Sequence, residues 1–191
     1  MKLLEDRILK DGKVYPGNVL KVDSFLNHEI DVPFVSELGR EFYRLFEGEG
    51  ITKILTIEAS GIGVACLTAV HFGCPVVFAK KTESANLSGD VYTSDVYSYT
   101  HKKTYTIRVA KEYLSKDDRV LIIDDFLAMG SALKALIKLV DDAGAYVAGV
   151  GIAVEKAFQP GGDEIRSQGI RVESLARVKA MNGDGTVTFT E

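Results

Sequence analysis

The sequence lacks the features that mark secreted, membrane-spanning and metal-binding proteins. It has only two cysteines, Cys66 and Cys74, and no second cluster of cysteine and histidine, so we expect reduced thiols and no zinc site. No apolar run reaches the ~18 residues of a membrane span, and the first residues, MKLLEDRILK, carry too many charges for a secretory signal. We therefore expect a soluble, cytoplasmic protein with no membrane partner.

The sequence also lacks an excess of basic residues. Lys and Arg total 23 against 27 for Asp and Glu, which gives a formal net charge of −4, whereas nucleic-acid-binding domains present a basic face. We expect no nucleic-acid partner, so an anionic ligand must be bound by local groups. With 4 prolines, no repeat and no low-complexity segment, the 191 residues predict a single domain, 1–191, large enough to bury a core.

Apolar runs without alternation predict strands that are buried on both faces. These runs are residues 52–60 (TKILTIEAS), 75–81 (PVVFAKK), 119–125 (RVLIIDD), 145–156 (AYVAGVGIAVEK) and 170–178 (IRVESLARV). Helical patterns between them, GIGVACLTAVHFG and GSALKALIKLVDDAG, end at Gly73 and Gly144. Such alternation predicts an α/β fold with a doubly wound, mainly parallel sheet, whose ligands bind at the carboxyl ends of the strands.

Two regions depart from this alternation. Residues 1–50 contain a short helix, a turn at residues 11–12 and an extended piece around residues 19–25. We expect residues 1–50 to form an N-terminal hood and the first helix that packs on the sheet. Residues 82–106 are polar and lack a helical stripe, which is typical of a mobile binding loop. They could also pair as a two-stranded ribbon.

The stretch VLIIDDFLAMGSA, residues 120–132, places two acids at the end of a buried strand, just before a helix. Buried carboxylates are costly unless a ligand or cation compensates them, and the N–H groups at a helix N-terminus suit a phosphate. For an acidic pair alone, a capping role at a surface turn is the commoner explanation. Hydroxyl recognition beside phosphate recognition favours a ribose phosphate instead.

This pattern resembles the phosphoribosyl-pyrophosphate (PRPP) signature of the type I phosphoribosyltransferases. The stretches KVDSFLNHEID, TIEASGI, PVVFAKK and VEKAFQPGGDEI extend the resemblance over nearly the whole chain, to the bacterial xanthine phosphoribosyltransferases of purine salvage. The resemblance implies the type I phosphoribosyltransferase fold. It also implies a pentosyltransferase that transfers the 5-phosphoribosyl group of PRPP to xanthine, and more weakly to guanine, giving XMP and pyrophosphate.

The resemblance also implies roles for particular residues. Asp124 and Asp125 would hold the ribose hydroxyls, and Ser98 and Tyr99 would be the contact pair of a mobile catalytic loop at residues 82–106. The 5′-phosphate would be wrapped by Ala128, Met129, Gly130, Ser131 and Ala132, and the pyrophosphate would be approached by Ala59, Ser60 and Gly61. Because Met129 and Ala132 stand where the family often has threonine, phosphate binding would depend on backbone N–H groups and the Ser131 hydroxyl.

A further implication concerns the assembly and the metal. In related enzymes a lysine at the position of Lys81 reaches the pyrophosphate of a neighbouring subunit, which implies a homodimer. A solvated strand end is the simpler explanation for the pair Lys80 and Lys81 taken alone. Magnesium would arrive bound to PRPP, with no direct protein ligation of a metal expected.

By the same resemblance, xanthine would contact Leu20, Asn27 and Lys156. Lys156 can donate to a purine carbonyl, Phe158 could stack on the ring, and Asn27 can donate to the second carbonyl of xanthine. Because an amide can also accept from an amino group, guanine would be the best competitor. From local sequence alone, Asn27 could equally be a turn or cap residue, and Lys156 a lysine with its charged end in solvent.

Two alternatives remain open. A guanine or hypoxanthine phosphoribosyltransferase of the same fold would be separated by comparing rates on the three bases. A PRPP-sensing transcriptional regulator of the same fold would need an extra basic segment, and residues 1–50 are too few for both a winged helix and a base-recognition hood.

Overall fold

The computed structural model describes residues 1–81, 90–98 and 102–190. Its helices are α1 (Lys2–Asp11), α2 (Val32–Phe46), α3 (Gly61–Phe72), α4 (Ser131–Asp142) and α5 (Gly161–Arg166). Its strands are β1 (Lys13–Tyr15), β2 (Val19–Lys21), β3 (Lys53–Ile57), β4 (Val76–Ala79), β5 (Val91–Ser98), β6 (Lys103–Ala110), β7 (Arg119–Leu127), β8 (Tyr146–Lys156), β9 (Val172–Met181) and β10 (Val187–Phe189). None of these helices is long and apolar enough to cross a membrane.

The central sheet has six strands in the order β10-β9-β8-β7-β3-β4. Its first five strands along the chain pair in parallel, which confirms the predicted α/β fold and all five predicted strands. The short strand β10 pairs antiparallel with β9 and was not predicted, because three residues are too few for a periodic signal.

Both faces of the sheet are covered, and β7 shows why its sequence is apolar without alternation. Leu121 and Ile123 belong to the apolar cluster that contains α2 and α3, whereas Val120 and Ile122 belong to the cluster that contains α4. Successive side chains of a strand point to opposite faces, so a strand between two helical layers needs apolar residues at every position.

The register between β7 and β8 changes once. Val120 lies opposite Val147, but Leu121 lies opposite Gly149, so β8 contains one extra residue, Ala148, at this point. From there the pairing is regular to the last pair, Leu127 opposite Glu155. This bulge sets which residues of β8 lie beside the carboxyl end of β7.

The hood differs from its predicted form in one part. Residues 1–50 contain the expected helix, α1, and the strands β1 and β2, which pair with Tyr15 opposite Val19. The predicted extended piece ends at Lys21, because Asp23–Asn27 form a π-helical turn that buries Phe25 and Leu26 completely.

Arg7 fastens this turn to α2. Its guanidinium lies 5.0 Å from the ring centroid of Phe25 and 5.1 Å from that of Phe34. Its Nη1 also donates to Asp31 Oδ2 at 2.9 Å, and the other carboxylate oxygen of Asp31 accepts from the N–H of Phe34 at the start of α2. Cation–π and ionic contacts of Arg7 therefore hold the π-helical turn that ends at Asn27 against the start of α2.

The polar segment, residues 82–106, forms a ribbon where the structure describes it. Strands β5 and β6 pair antiparallel from Val91 opposite Ala110 to Ser98 opposite Lys103, so the ribbon extends beyond the predicted end of the segment. Residues 82–89 and 99–101, and with them Tyr99, lie outside the described residues. The mobility of this segment stays a prediction.

We expect Gly151→Ala to lower the free energy of unfolding by about 1–3 kcal/mol, because a Cβ there overpacks the core. That atom would lie 2.6 Å from Ile123 Cδ1 and 2.8 Å from Phe42 Cδ1 of α2. Urea denaturation measures the change. Gly183→Ala is the matched control, since a Cβ at residue 183 meets nothing within 4 Å. Equal stability of the two variants would contradict this packing of β8 on α2.

Candidate functional site

A cavity of about 510 Å³ opens at the carboxyl ends of β7 and β8. It lies between the hood, the β5–β6 ribbon and the loop that follows β7. Its lining residues are Gly17, Asn18, Val19, Val96, Tyr97, Ser98, Tyr105, Asp124, Phe126, Leu127, Ala128, Met129, Gly130, Ser131, Ala132, Leu133, Lys156 and Gln159. Its position agrees with the rule that open α/β sheets bind ligands at this edge.

A second cavity of about 150 Å³ adjoins the first. Its walls are formed by the loop after β3, the end of β4 and the acidic pair: Ile57, Glu58, Ser60, Gly61, Lys81, Tyr105, Asp124, Asp125 and Ala132. The two cavities share Tyr105, Asp124 and Ala132. They therefore meet at the acidic pair, which makes one site with two arms.

The sequence predicted that the acidic pair ends the strand β7. In the structure the pair lies within β7, which continues to Leu127. Strand β3 pairs with β7 only as far as Leu55 opposite Ile122, whereas β7 continues to Leu127 along β8. One edge of β7 is therefore free of β3 at Asp124 and Asp125, and the two carboxylates reach the cavities there.

The environment of the pair separates the two acids. Asp124 and Asp125 are 7% and 9% exposed. Burial, followed by the negative charge of Asp125, raises the pKa of Asp124 well above its ordinary value, while the positive charge of Lys81 opposes this rise. Asp124 Oδ1 accepts the N–H of Asp125 at 2.9 Å, and Asp125 Oδ2 accepts from Asn27 Nδ2 at 3.0 Å.

Asn27 therefore contacts the acidic pair directly. The turn and cap roles that the local sequence allowed do not describe it, because Asp31, and not Asn27, caps α2. The Asn27–Asp125 bond joins residues 98 positions apart. It connects the hood to β7 at the centre of the site.

The loop between β3 and α3 packs closely against the same acids. A Cβ on Gly61 would overlap Thr56 Oγ1 and would lie 2.7 Å from Asp124 Oδ1. Gly61 does not have a positive φ, so the glycine is needed for this close approach and not for the φ of a left-handed turn. In the same loop, the Glu58–Ala59 peptide is cis, and the carboxylate of Glu58 accepts the N–H of Lys81.

Lys81 and Lys80 face different surroundings. Lys81 lines the smaller cavity, and its Nζ lies 5.4 Å from the ring centroid of Tyr105. Lys80 pairs through its backbone with Arg108 of β6. Of the two lysines, Lys81 is the one placed to meet an anion beside Asp124 of its own chain.

The loop after β7 ends at the N-terminus of α4. Gly130 has a φ of +79°, which glycine adopts without strain, and it is the N-cap residue of α4. All five predicted residues of this loop, Ala128, Met129, Gly130, Ser131 and Ala132, line the larger cavity. The first N–H groups of α4 therefore lie at the cavity wall, where an anion would be favoured.

The other end of the larger cavity is built around Lys156. Its Nζ donates to the Asn18 carbonyl at 2.9 Å and lies 5.9 Å from the ring centroid of Phe126. Burial lowers the pKa of Lys156. Phe126 is a site residue that the sequence interpretation missed; the available signal was its place two residues after Asp124 on the same strand.

Four predicted site residues are absent from the walls of both cavities: Leu20, Asn27, Ala59 and Phe158. Phe158 is 39% exposed and is absent from the cavity walls, where the aromatic rings are Phe126, Tyr97 and Tyr105. The side chain of Leu20 is buried in the apolar cluster beneath the hood. Ser98 lines the larger cavity, whereas its predicted partner Tyr99 is not described.

Within residues 1–81, 90–98 and 102–190, no three His, Cys, Asp or Glu side chains are grouped so that they could hold a metal ion. The hard oxygen atoms nearest the junction of the cavities belong to Asp124 and Asp125. They are the ligand type that Mg²⁺ prefers, and Mg²⁺ usually keeps most of its ligands from water and substrate phosphates.

We expect Asp124→Asn to raise the melting temperature at neutral pH. A raised pKa means that the folded chain binds more protons than the unfolded chain at pH values above the ordinary value of 3.8, so ionisation of Asp124 lowers stability as the pH rises through that window. An asparagine removes this penalty. The gain should shrink as the pH falls towards and below the ordinary value of 3.8, because the carboxyl then becomes protonated in the unfolded chain as well as in the folded chain.

Calorimetry of both proteins between about pH 4 and 8 measures this difference. Asp163→Asn is the control, because Asp163 is an exposed aspartate whose loss should leave the melting curve nearly unchanged. A stability difference between Asp124→Asn and the wild type that does not depend on pH would contradict the assignment.

Comparison with known proteins agrees with this geometry. A family model described as the phosphoribosyl transferase domain matches residues 29–167. The chain is 61% identical to the xanthine phosphoribosyltransferase of Lachnoclostridium phytofermentans, over 99% of this chain and 98% of that protein. It is 56% identical to the xanthine phosphoribosyltransferase of Ruminiclostridium cellulolyticum, over 100% of both.

Solved structures show the same fold. The APRTase of Giardia lamblia, in complex with 9-deazaadenine, has a TM-score of 0.77 at 23% identity, covering 90% of this chain and 96% of that one. The adenine phosphoribosyl transferase of Trypanosoma brucei has a TM-score of 0.76 at 22% identity, covering 90% and 78%. The chain therefore belongs to the phosphoribosyltransferase family, and within it to the xanthine phosphoribosyltransferases.

Proposed function

We propose that the chain transfers the 5-phosphoribosyl group of PRPP to xanthine, and more weakly to guanine, giving the nucleoside monophosphate and pyrophosphate. The observation that carries the proposal is the order of groups around the joined cavities. The N-terminus of α4, the acidic pair and the partly buried Lys156 lie around the joined cavities at the ends of β7 and β8, and the β3 loop lines the smaller cavity beside the same carboxylates.

Each part of PRPP has a matching part of the site. The 5′-phosphate would accept hydrogen bonds from the N–H groups of residues 128–132 at the start of α4. The ribose hydroxyls would donate hydrogen bonds to Asp124 and Asp125. The pyrophosphate would lie in the smaller cavity, against Ala59, Ser60 and Gly61 and beside Lys81. The purine would lie at the far end of the larger cavity, between Phe126 and Lys156.

In the reaction, a purine ring nitrogen forms a bond to the anomeric carbon while the bond from that carbon to the pyrophosphate oxygen breaks. Positive charge develops on the ribose ring, and the carboxylates of the acidic pair lie where they can stabilise it. The purine gives up one ring proton, and since bound xanthine is already acidic, the site needs accurate positioning more than a strong base.

Magnesium fits this site as a companion of PRPP. Asp124 and Asp125 are the described carboxylates that would lie near it, without direct ligation, and the ion would neutralise part of the charge on the departing pyrophosphate. The β5–β6 ribbon, with Ser98 in the cavity wall, is placed to exclude water from the ribose. Contact of Tyr99 with the substrate remains part of the proposal.

Recognition of the base rests on Lys156 and Asn27. Lys156 Nζ now donates to the Asn18 carbonyl and would donate to a purine carbonyl when the base is bound. The Asn27 amide donates to Asp125, and it would turn to the second carbonyl of xanthine once the ribose hydroxyls occupy Asp125. Leu20 would contact the base through its main chain, and the stacking role expected of Phe158 passes to Phe126.

We also propose a homodimer, on the strength of the family resemblance. Because Lys81 lies beside Asp124 of its own chain, its contribution to the site does not require a partner. The assembly is tested by light scattering on the purified protein, and a monomeric mass at working concentrations would contradict the dimer.

We expect PRPP-dependent turnover to be fastest on xanthine, slower on guanine and slowest on hypoxanthine. Asn27→Ala should narrow the preference for xanthine over hypoxanthine by roughly tenfold to hundredfold, since the variant loses the donor that pairs with the second carbonyl. Steady-state values of kcat/KM for the three bases measure this change. Asn182→Ala removes an exposed amide that bonds to Thr186 and not to the acidic pair, and it serves as the control.

Two results would count against these assignments. An unchanged preference in Asn27→Ala would remove Asn27 from base selection while leaving the reaction in place. No PRPP-dependent consumption of any of the three bases would overturn the proposed function itself.

A further inference from the structure

A buried ionic cluster lies directly behind the phosphate loop, residues 128–132, and has no role in the reaction described above. Its centre is Glu155, which is 1% exposed and precedes Lys156 on β8. Glu155 accepts two hydrogen bonds from Arg166, at 2.8 and 2.7 Å, and one from Ser174 at 2.5 Å. A two-bond arginine–carboxylate pair fixes the direction of both side chains.

The carboxylate of Glu155 is held in its charged form. Burial alone would raise the pKa of Glu155, but the bonds from Arg166 and Ser174, with the positive charges of Arg166 and Arg177, outweigh burial and lower it. The pair with Arg166 is therefore an ion pair whose carboxylate is buried and whose guanidinium is partly exposed.

Arg166 is the last residue of α5, and the first residue of that helix, Gly161, contacts the phosphate loop. The N–H of Gly161 donates to the Ala128 carbonyl at 3.2 Å. A Cβ on Gly161 would overlap that carbonyl and lie 2.6 Å from the backbone nitrogen of Gly130. Because Gly161 does not have a positive φ, the close contact alone excludes a side chain here.

Gly162 links this contact to the ion pair. A Cβ on Gly162 would overlap Glu155 Oε1 and lie 2.6 Å from Arg166 Nη1. The ion pair therefore packs on the first turn of α5, the turn that presses against the loop. Glu155 itself lies opposite Leu127, the residue before the loop begins.

We propose that the Glu155–Arg166 ion pair is a positioning element for the phosphate loop. It holds α5 in the one place where Gly161 supports Ala128 and Gly130, and it thereby fixes the direction of the backbone N–H groups that receive the 5′-phosphate. This inference rests on the proposed function, since it assumes that the loop binds that phosphate. Without threonine side chains at residues 129 and 132, the backbone direction carries most of the binding.

The test compares ligands that differ only in the 5′-phosphate. XMP and xanthosine are titrated by calorimetry into the purified full-length wild type, Gly161→Ala and Arg166→Lys. We expect Gly161→Ala to weaken XMP binding by roughly tenfold to hundredfold while xanthosine binding changes little, because loss of one hydrogen bond to a charged phosphate costs about that much affinity. Arg166→Lys keeps the charge but loses the second bond, so a smaller change in the same direction is expected.

Steady-state kinetics give a second readout. The KM for PRPP should rise in both variants while the KM for xanthine stays within about twofold, a split that loss of stability alone does not produce. Gly183→Ala and Asp117→Asn are the matched controls. The first adds a methyl group to an open glycine, and the second removes an exposed carboxylate outside α5 and its contacts.

Different results would overturn the positioning role of the ion pair and the phosphate-binding role of the loop. Equal loss of XMP and xanthosine binding, or reduced stability with an unchanged ratio of the two affinities, would overturn the positioning role and leave the ion pair structural. A wild type that binds XMP no more tightly than xanthosine would instead overturn the assignment of the loop. If Gly161→Ala does not fold, the Arg166→Lys result decides alone.

Discussion

Asp124 and Asp125 bring two carboxylates into a nearly dry position, which is unfavourable unless neighbouring groups compensate. Three separate parts of the fold supply this compensation. Asn27 donates from the hood, the charge of Lys81 acts from the end of β4, and Gly61 leaves room by having no side chain. Burial and the charge of Asp125 also raise the pKa of Asp124. Two carboxylates in this position are suited to ligand hydroxyls and positive charge.

The sheet could be predicted from the sequence because its signal is local. Apolar runs without alternation marked β3, β4, β7, β8 and β9, and the glycines after α3 and α4 marked the helix ends. The limits of β7 could not be predicted in this way, because two acids look like the end of a strand. That β7 continues past them depends on β8 staying paired after β3 has stopped, which is a property of three strands together.

The site was predictable as a set of loops but less so as a set of contacts. The residues of the phosphate loop could be chosen from the motif alone, since they are consecutive. The bond between Asn27 and Asp125 joins distant parts of the chain, and the choice between Phe126 and Phe158 depends on the direction of side chains. Similarly, nothing local showed that Gly161 and Gly162 support a loop about thirty positions earlier. Long-range packing carries this information, and a single sequence shows it only indirectly.

The bulge at Ala148 sets the register between β7 and β8. Beyond it, the regular pairing that ends with Leu127 opposite Glu155 fixes where the loop of residues 128–132 begins relative to Lys156, the residue after Glu155. The backbone, and not a flexible side chain, sets this relation. A slip of one residue would move Lys156 by about 3.3 Å and turn its side chain to the other face of the sheet. The relative positions of Lys156 and the loop of residues 128–132 thus depend on the register set by one extra residue, at the opposite end of the strand from the larger cavity.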